Sequence, residues 1–281
     1  PPGRSARGGA EPRARATAAA RGEGVVAFAE SGNGTTVLGG LLTTGRHWPP
    51  RATLNPLGPY GGVTPPPNDG ASFDPPLNPA LPPAPQTGLI VRRNALGEWR
   101  DDNIGDWTDF VSGAGAFFSG RPTGWTLLDH DLAFLDATSL ALRYEGELMN
   151  LVMALAVNPA SGEVTAVGTD ATNELRFEPN VKGTFLRVRL ARVDPALAGA
   201  STLVDLNPQL DYTSGTVDAA TRALSLGDPR QIVWNSSGTL AFVAGMGSNN
   251  LVVLDASGAR AGPPLTLGAG PTGLTLDEAR A

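Results

Sequence analysis

The chain has 281 residues, a formal net charge of −6 and no cysteine, which excludes disulfides, thiolate metal sites, cysteine nucleophiles and covalent c-type haem attachment within it. The acidic balance, with a single lysine (Lys182) among 21 basic residues, argues against general nucleic-acid binding, and no run of 18 apolar residues marks a membrane-crossing helix. Thirty-six glycines and 25 prolines are too many for a helical protein and suit many short strands joined by tight turns.

Residues 1–11, PPGRSARGGAE, carry no apolar pattern and are expected to be disordered. Residues 12–40 read as strand, turn, strand and polar turn, running into TTVLGG. Residues 65–85 hold nine prolines in 21 positions, so this insertion cannot donate a sheet ladder and is expected as an extended surface loop. RDDNIGDWTD, 100–109, clusters Asp101, Asp102, Asp106 and Asp109, and oxygen-rich loops of this kind can hold Ca²⁺. The EF-hand spacing is broken there, with Gly105 where an acid should stand, so the expectation is a solvated loop with no metal.

A second phrase recurs further on. DHDLAFLDATS (129–139) lies over SNNLVVLDASG (248–258), and RLARVDPA (189–196) and TGLIVRRN (87–94) are looser copies of the same apolar strand, mostly closing on Asp. VMALAVNPASGEVTAVGTDATNEL (152–175) and DPRQIVWNSSGTLAFVAGMGSNNLVVLDASG (228–258) each read as strand, Asn-bearing turn, strand and polar turn. Residues 205–226 read as a second, milder insertion. GPTGLTLDEARA, 270–281, repeats the first strand and turn only, and from Pro229 to Pro271 is 42 residues, the length of one four-stranded blade. The pattern predicts an all-β fold, a β-propeller of four-stranded antiparallel blades, with residues 12–281 forming an incomplete ring of about five blades and the chain truncated after 281.

These residues resemble the YVTN-type β-propeller repeat family, which includes bacterial and archaeal surface-layer propellers. The family phrase is carried by Pro229 to Asp255, by Val152 to Leu175 and by Pro271 to Arg280, although the second strands LAFVA and VTAVG depart from its aromatic-rich form. The resemblance implies a seven-bladed ring, exported to the periplasm or beyond the cell, used for binding and often fused to modules such as haem peroxidase-like domains. Fold alone implies no chemistry.

Strand direction reverses at every turn, so in a blade of strands a to d the d-to-a link and the b-to-c turn fall at one end. On that face the sequence places Arg13, Glu30, Asn33, Asp170, Asn173, Glu174, Arg230 and Asn249. Arg13 and Arg230 could hold an anionic ligand, because guanidinium forks grip carboxylates bidentately; each of these residues also serves as an ordinary turn residue. His130, between Asp129 and Asp131, could form an acid–base pair or hold a metal, but it aligns with Asn249 in a b-to-c turn. His47 has only Arg46 as a charged neighbour. Since no nucleophile elbow or phosphate loop occurs, the expected function is a non-enzymatic binding or scaffold propeller of an exported bacterial protein. No cofactor is expected in this chain, and a protein or small-molecule ligand is expected on the turn face. The alternatives are a propeller domain of a larger oxidoreductase whose redox module lies outside this chain, and a propeller lyase or hydrolase acting through His130 or His47.

Overall fold

The computed structural model describes residues 15–20, 23–29, 35–37, 90–94, 96–101, 108–119, 122–126, 129–136, 138–175, 184–214 and 216–280. The proline-rich insertion 65–85 and residues 1–11 lie outside them.

The chain folds as a β-propeller of four-stranded antiparallel blades. The first blade begins with β1 (Arg15–Ala20) and β2 (Glu23–Ala29). The chain then leaves for a separate three-stranded sheet of β3 (Thr35–Val37), β4 (Ile90–Arg93) and β5 (Trp99–Asp101), followed by a short helix α1 (Thr108–Val111) and a 3-10 turn, Ala114–Ser119. It returns as β6 (Leu132–Asp136) and β7 (Leu142–Glu145), and β6 pairs with β2. The second blade is the meander β8 (Leu151–Val157), β9 (Val164–Leu175), β10 (Thr184–Val193) and β11 (Ser201–Asp205). The third is β12 (Pro229–Trp234), β13 (Leu240–Gly245), β14 (Asn250–Asp255) and β15 (Leu265–Thr266).

The recurring phrase has a local cause. Asp136, Asp194 and Asp255 close the third strands of the three blades, and each carboxylate accepts a backbone N–H two residues on, from Thr138, Ala196 and Ser257 at 3.0, 2.8 and 2.8 Å. Such Asx turns reverse the chain without a sheet partner. Asn158 and Asn235 do the same between first and second strands: Asn158 Oδ1 accepts from Ala160 N at 2.8 Å, and Asn235 Oδ1 from Thr239 N at 2.9 Å.

Between turns the strands bury both faces. Along β14, Asn250, Val252 and Leu254 are buried while their neighbours are only half-buried. Blade 2 is the filling of a sandwich: Val164, Ala166, Ala191 and Val193 join Leu132 and Phe134 of blade 1 in one apolar cluster. Val188 and Leu190 join Ile232, Val243 and Leu254 of blade 3 in another. Full burial of each large aliphatic side chain is worth roughly 1.5–3 kcal/mol, so the blades hold one another. The first strands β1, β8 and β12 lie side by side, as the inner strands of a propeller do.

Two repeat copies take other places. TTV and IVRR, counted as third strands of separate blades, are β3 and β4, which pair with each other. A short apolar run does not specify its partner, and among the described residues the result is three four-stranded sheets and one of three strands. Residues 270–276, read as a first strand, form no ladder among the described residues. They still follow the blade repeat: Gly273 lies beside Gln231, Ser236 N donates to Glu278 Oε1 at 2.7 Å, and the same 42-residue step separates both pairs.

Residues 206–228 connect blades 2 and 3 and carry helix α2 (Ala219–Ala223), capped by Asp218. Asn207 clips this loop shut: its Oδ1 accepts from Leu226 N at 2.7 Å and its Nδ2 donates to Leu226 O at 2.9 Å. Arg260 braces it by donating to Leu206 O at 2.6 Å and to Asn207 Oδ1 at 2.8 Å. Asn207→Ala leaves the Leu226 N–H and carbonyl unpaired in a buried place, and urea unfolding is expected to show a loss of about 2 kcal/mol.

Candidate functional site

The end of the blades that carries the d-to-a links and b-to-c turns bears a group of acids where blades 1 and 2 meet. Asp131, just before β6, is wholly buried. Its Oδ2 accepts from Leu148 N at 2.8 Å and Met149 N at 3.3 Å, in the link between β7 and β8. Its Oδ1 is buried and meets no donor, and the same holds for Asp129 Oδ1. Asp129 Oδ2 accepts from Glu147 N at 3.0 Å. Asp170, buried midway along β9, is ion-paired with Arg189 of β10 at 2.9 Å.

Burial sets the protonation of this group. Desolvation pushes the Asp131 carboxyl up to about 7 against the pull of its two N–H donors, with the Asp129 charge adding to the rise. Asp129 is also raised, again chiefly by desolvation. A buried carboxyl with one oxygen unsolvated holds its proton rather than a bare charge.

The acids run outward over the same face. Arg187 is paired with Asp205 at 2.9 Å, its guanidinium lies 3.9 Å over the Tyr212 ring, and the Tyr212 hydroxyl donates to Asp205 at 3.0 Å. Arg230 is paired with Asp228 at 2.8 Å. With Arg189 on Asp170, three arginines of this face are committed. Asp211 and Asp218 stand exposed in the loop between blades 2 and 3, and hydrogen bonds from Thr213 and Thr221 hold them below the ordinary carboxylate range. Glu147 is exposed as well, and Arg222 on α2 is the exposed guanidinium among them.

Of the residues placed on this face from sequence, Arg13, Glu30 and Asn33 lie outside the described residues, as does His47. Asp170, Asn173 and Glu174 belong to β9, which continues to Leu175, so the expected turn falls beyond them and Asp170 is a buried ion-pair partner. Arg230 is the extra residue of a bulge in β12. Asn249 sits in its turn at φ +51°, a conformation that Asn tolerates.

Two of the four acids of the RDDNIGDWTD run fall among the described residues. Asp101 lies in β5 and Asp109 on α1, where Asp109 Oδ1 accepts from Gly115 N at 3.1 Å, while Asp102 and Asp106 lie outside the described residues. Among the described residues no three His, Asp or Glu side chains converge to hold a metal. His130 is half-buried rather than exposed, its ring stacked on Tyr144 at 3.7 Å and 6°.

Asp129 and Asp131 were readable only in part. Asp131 aligns with Asn250, the first buried position of β14, so the alternation of the third strand already marks it as an inward polar residue. What surrounds it comes from the next blade and from the link, far along the chain.

No protein-family model matches the sequence, and no curated protein matches it. Among solved structures the chain is similar to the hydrazine synthase of Kuenenia stuttgartiensis, with a TM-score of 0.37 and 13% identity over 50% of this chain and 44% of that one. It is also similar to the Cps50 (Swd1) β-propeller domain of Myceliophteria thermophila, with a TM-score of 0.33 and 12% identity over 68% of this chain and 57% of that one. The chain thus spans about half the length of each solved chain, and the blade assignment rests on the sheets themselves. No helix among the described residues is long and apolar enough to cross a membrane.

Proposed function

We propose that this chain is a binding and scaffold propeller of the YVTN type, working in an exported bacterial protein in the periplasm or outside the cell, and that its turn face docks a cationic protein segment. The observation that carries the reading is the charge on that face: Glu147, Asp211 and Asp218 are exposed with no ion pair among the described residues, while Arg187, Arg189 and Arg230 are neutralised by Asp205, Asp170 and Asp228. Hydrogen bonds from Thr213 and Thr221 fix the Asp211 and Asp218 carboxylates, so a partner meets acids already placed. The same arrangement favours a basic ligand over the anionic one first suggested by Arg230.

Titration calorimetry at low salt with an oligo-arginine peptide, against an oligo-glutamate peptide of equal length, tests this. The cationic peptide is expected to bind and the anionic one to be ignored. Glu147→Gln, Asp211→Asn and Asp218→Asn together are expected to weaken binding about tenfold, since exposed charge pairs contribute about 0.2–1 kcal/mol each. Equal binding of both peptides, or an unmoved affinity in the triple variant, would overturn the reading.

A further inference from the structure

We propose that Asp131 is a proton-operated latch on the link between blades 1 and 2, closed when the carboxyl is neutral and loosened when it is charged. The link is short and strained: Glu147 sits at φ +60°, a left-handed conformation that costs a residue with a side chain about 1–2 kcal/mol. Two acceptors hold it, the half-buried Asp129 on the Glu147 N–H and the buried Asp131 on the N–H groups of Leu148 and Met149. Leu148 and Met149 are themselves buried in the cluster between the two blades, so these bonds fasten the link to the core.

A charge has little relief at this place. Asp131 Oδ1 is buried without a donor, and the acid groups around it repel. From its own segment Asp129 repels it, and Asp129 in turn faces Glu147 of the link, which raises it, and His130, which lowers it. Asp170 stands on β9 with Arg189 of β10 engaged on it. Across on β7, the Glu145 carbonyl accepts the Asp131 N–H at 2.9 Å, while the Glu145 carboxylate is spent on Arg143 and Gly199. Burial raises the carboxyl above its ordinary value of 3.8, so the folded state prefers the neutral form. Stability tied to this group is therefore complete in acid, falls as pH rises from about 4 and is fully lost above about 7. The latch lies under the acidic docking face, and only its use in binding depends on that proposal; the proton itself is read without any ligand.

Carbon-detected NMR of the aspartate carboxyls in the full chain reads the proton directly. A midpoint for Asp131 within about one unit of 7 is expected, and a midpoint near 4 would overturn the latch. Hydrogen exchange, corrected for intrinsic rate, should show the Leu148 and Met149 amides losing protection about tenfold between pH 6 and pH 8. Asp131→Asn, which keeps an acceptor for both amides, should hold them equally protected at both pH values and remove most of the melting-temperature drop of about 5 °C expected in the wild type between pH 5 and pH 8. Unchanged amide protection in the wild type would sink the proposal, as would equal pH slopes in the two proteins. If the variant fails to fold, the wild-type NMR midpoint and exchange decide alone.

Discussion

Trp234→Ala is expected to lower stability by about 4 kcal/mol, the largest effect of any substitution considered. Trp234 belongs to the inner strand of blade 3, yet its indole N–H donates to Thr165 Oγ1 of blade 2 at 3.0 Å, and that hydroxyl in turn donates to Ala156 O at 2.9 Å. The ring is buried in the cluster between the blades. Truncation therefore opens a cavity and removes the polar tie at once. Thr165→Val separates the two effects, since it keeps the volume and strands the indole N–H; a loss of about 1–3 kcal/mol is expected. Urea unfolding followed by circular dichroism measures both. A Trp234→Ala loss under about 1 kcal/mol would mean that blades 2 and 3 do not rely on this contact.

Gly168→Ala is expected to cost about 3 kcal/mol, at the upper end of overpacking effects. Gly168 pairs with Val152 beside a bulge, where Met153 is the extra residue of β8. A methyl group there would overlap the Leu151 carbonyl oxygen and lie 2.6 Å from Met149 Sδ, and a backbone carbonyl in a ladder cannot yield as a side chain does. Blade 3 repeats the device at the matching position, with Gly245 paired to Pro229 beside the bulge residue Arg230. Gly262→Ala is the control: nothing stands within 4 Å of its added methyl group, and a change within about 0.5 kcal/mol is expected. Thermal melts of the two variants side by side would refute the argument if they moved equally.

Turn residues act on their own backbone two to five residues away, so Asp136, Asn158, Asn235 and Asp255 announced their turns in the sequence. Strand pairing is a longer-range matter. TTV and IVRR have the apolar character of third strands, yet the long excursion between β2 and β6 carries them away to pair with each other. The site was legible to the same extent. Asn249 sits in the turn between β13 and β14 and Arg230 in the bulge that opens β12, while Asp170, Asn173 and Glu174 fall inside a longer β9 because strand length depends on the partner strand β10.

By itself, then, the sequence determined what depends on neighbours in the chain: short strands, their Asx turns, the blade-length repeat and the end of each blade to which links and turns go. Tertiary structure decided which acids are charged. Asp131 precedes and Asp136 closes one five-residue strand, yet Asp136 is only half-buried and is held below the ordinary range by Ser139 and Thr138, while Asp131 is raised to about 7 by burial. The rise at Asp131 is desolvation, a property of the blade that packs against it, whereas the fall at Asp136 comes from hydrogen bonds of residues two and three further along the chain.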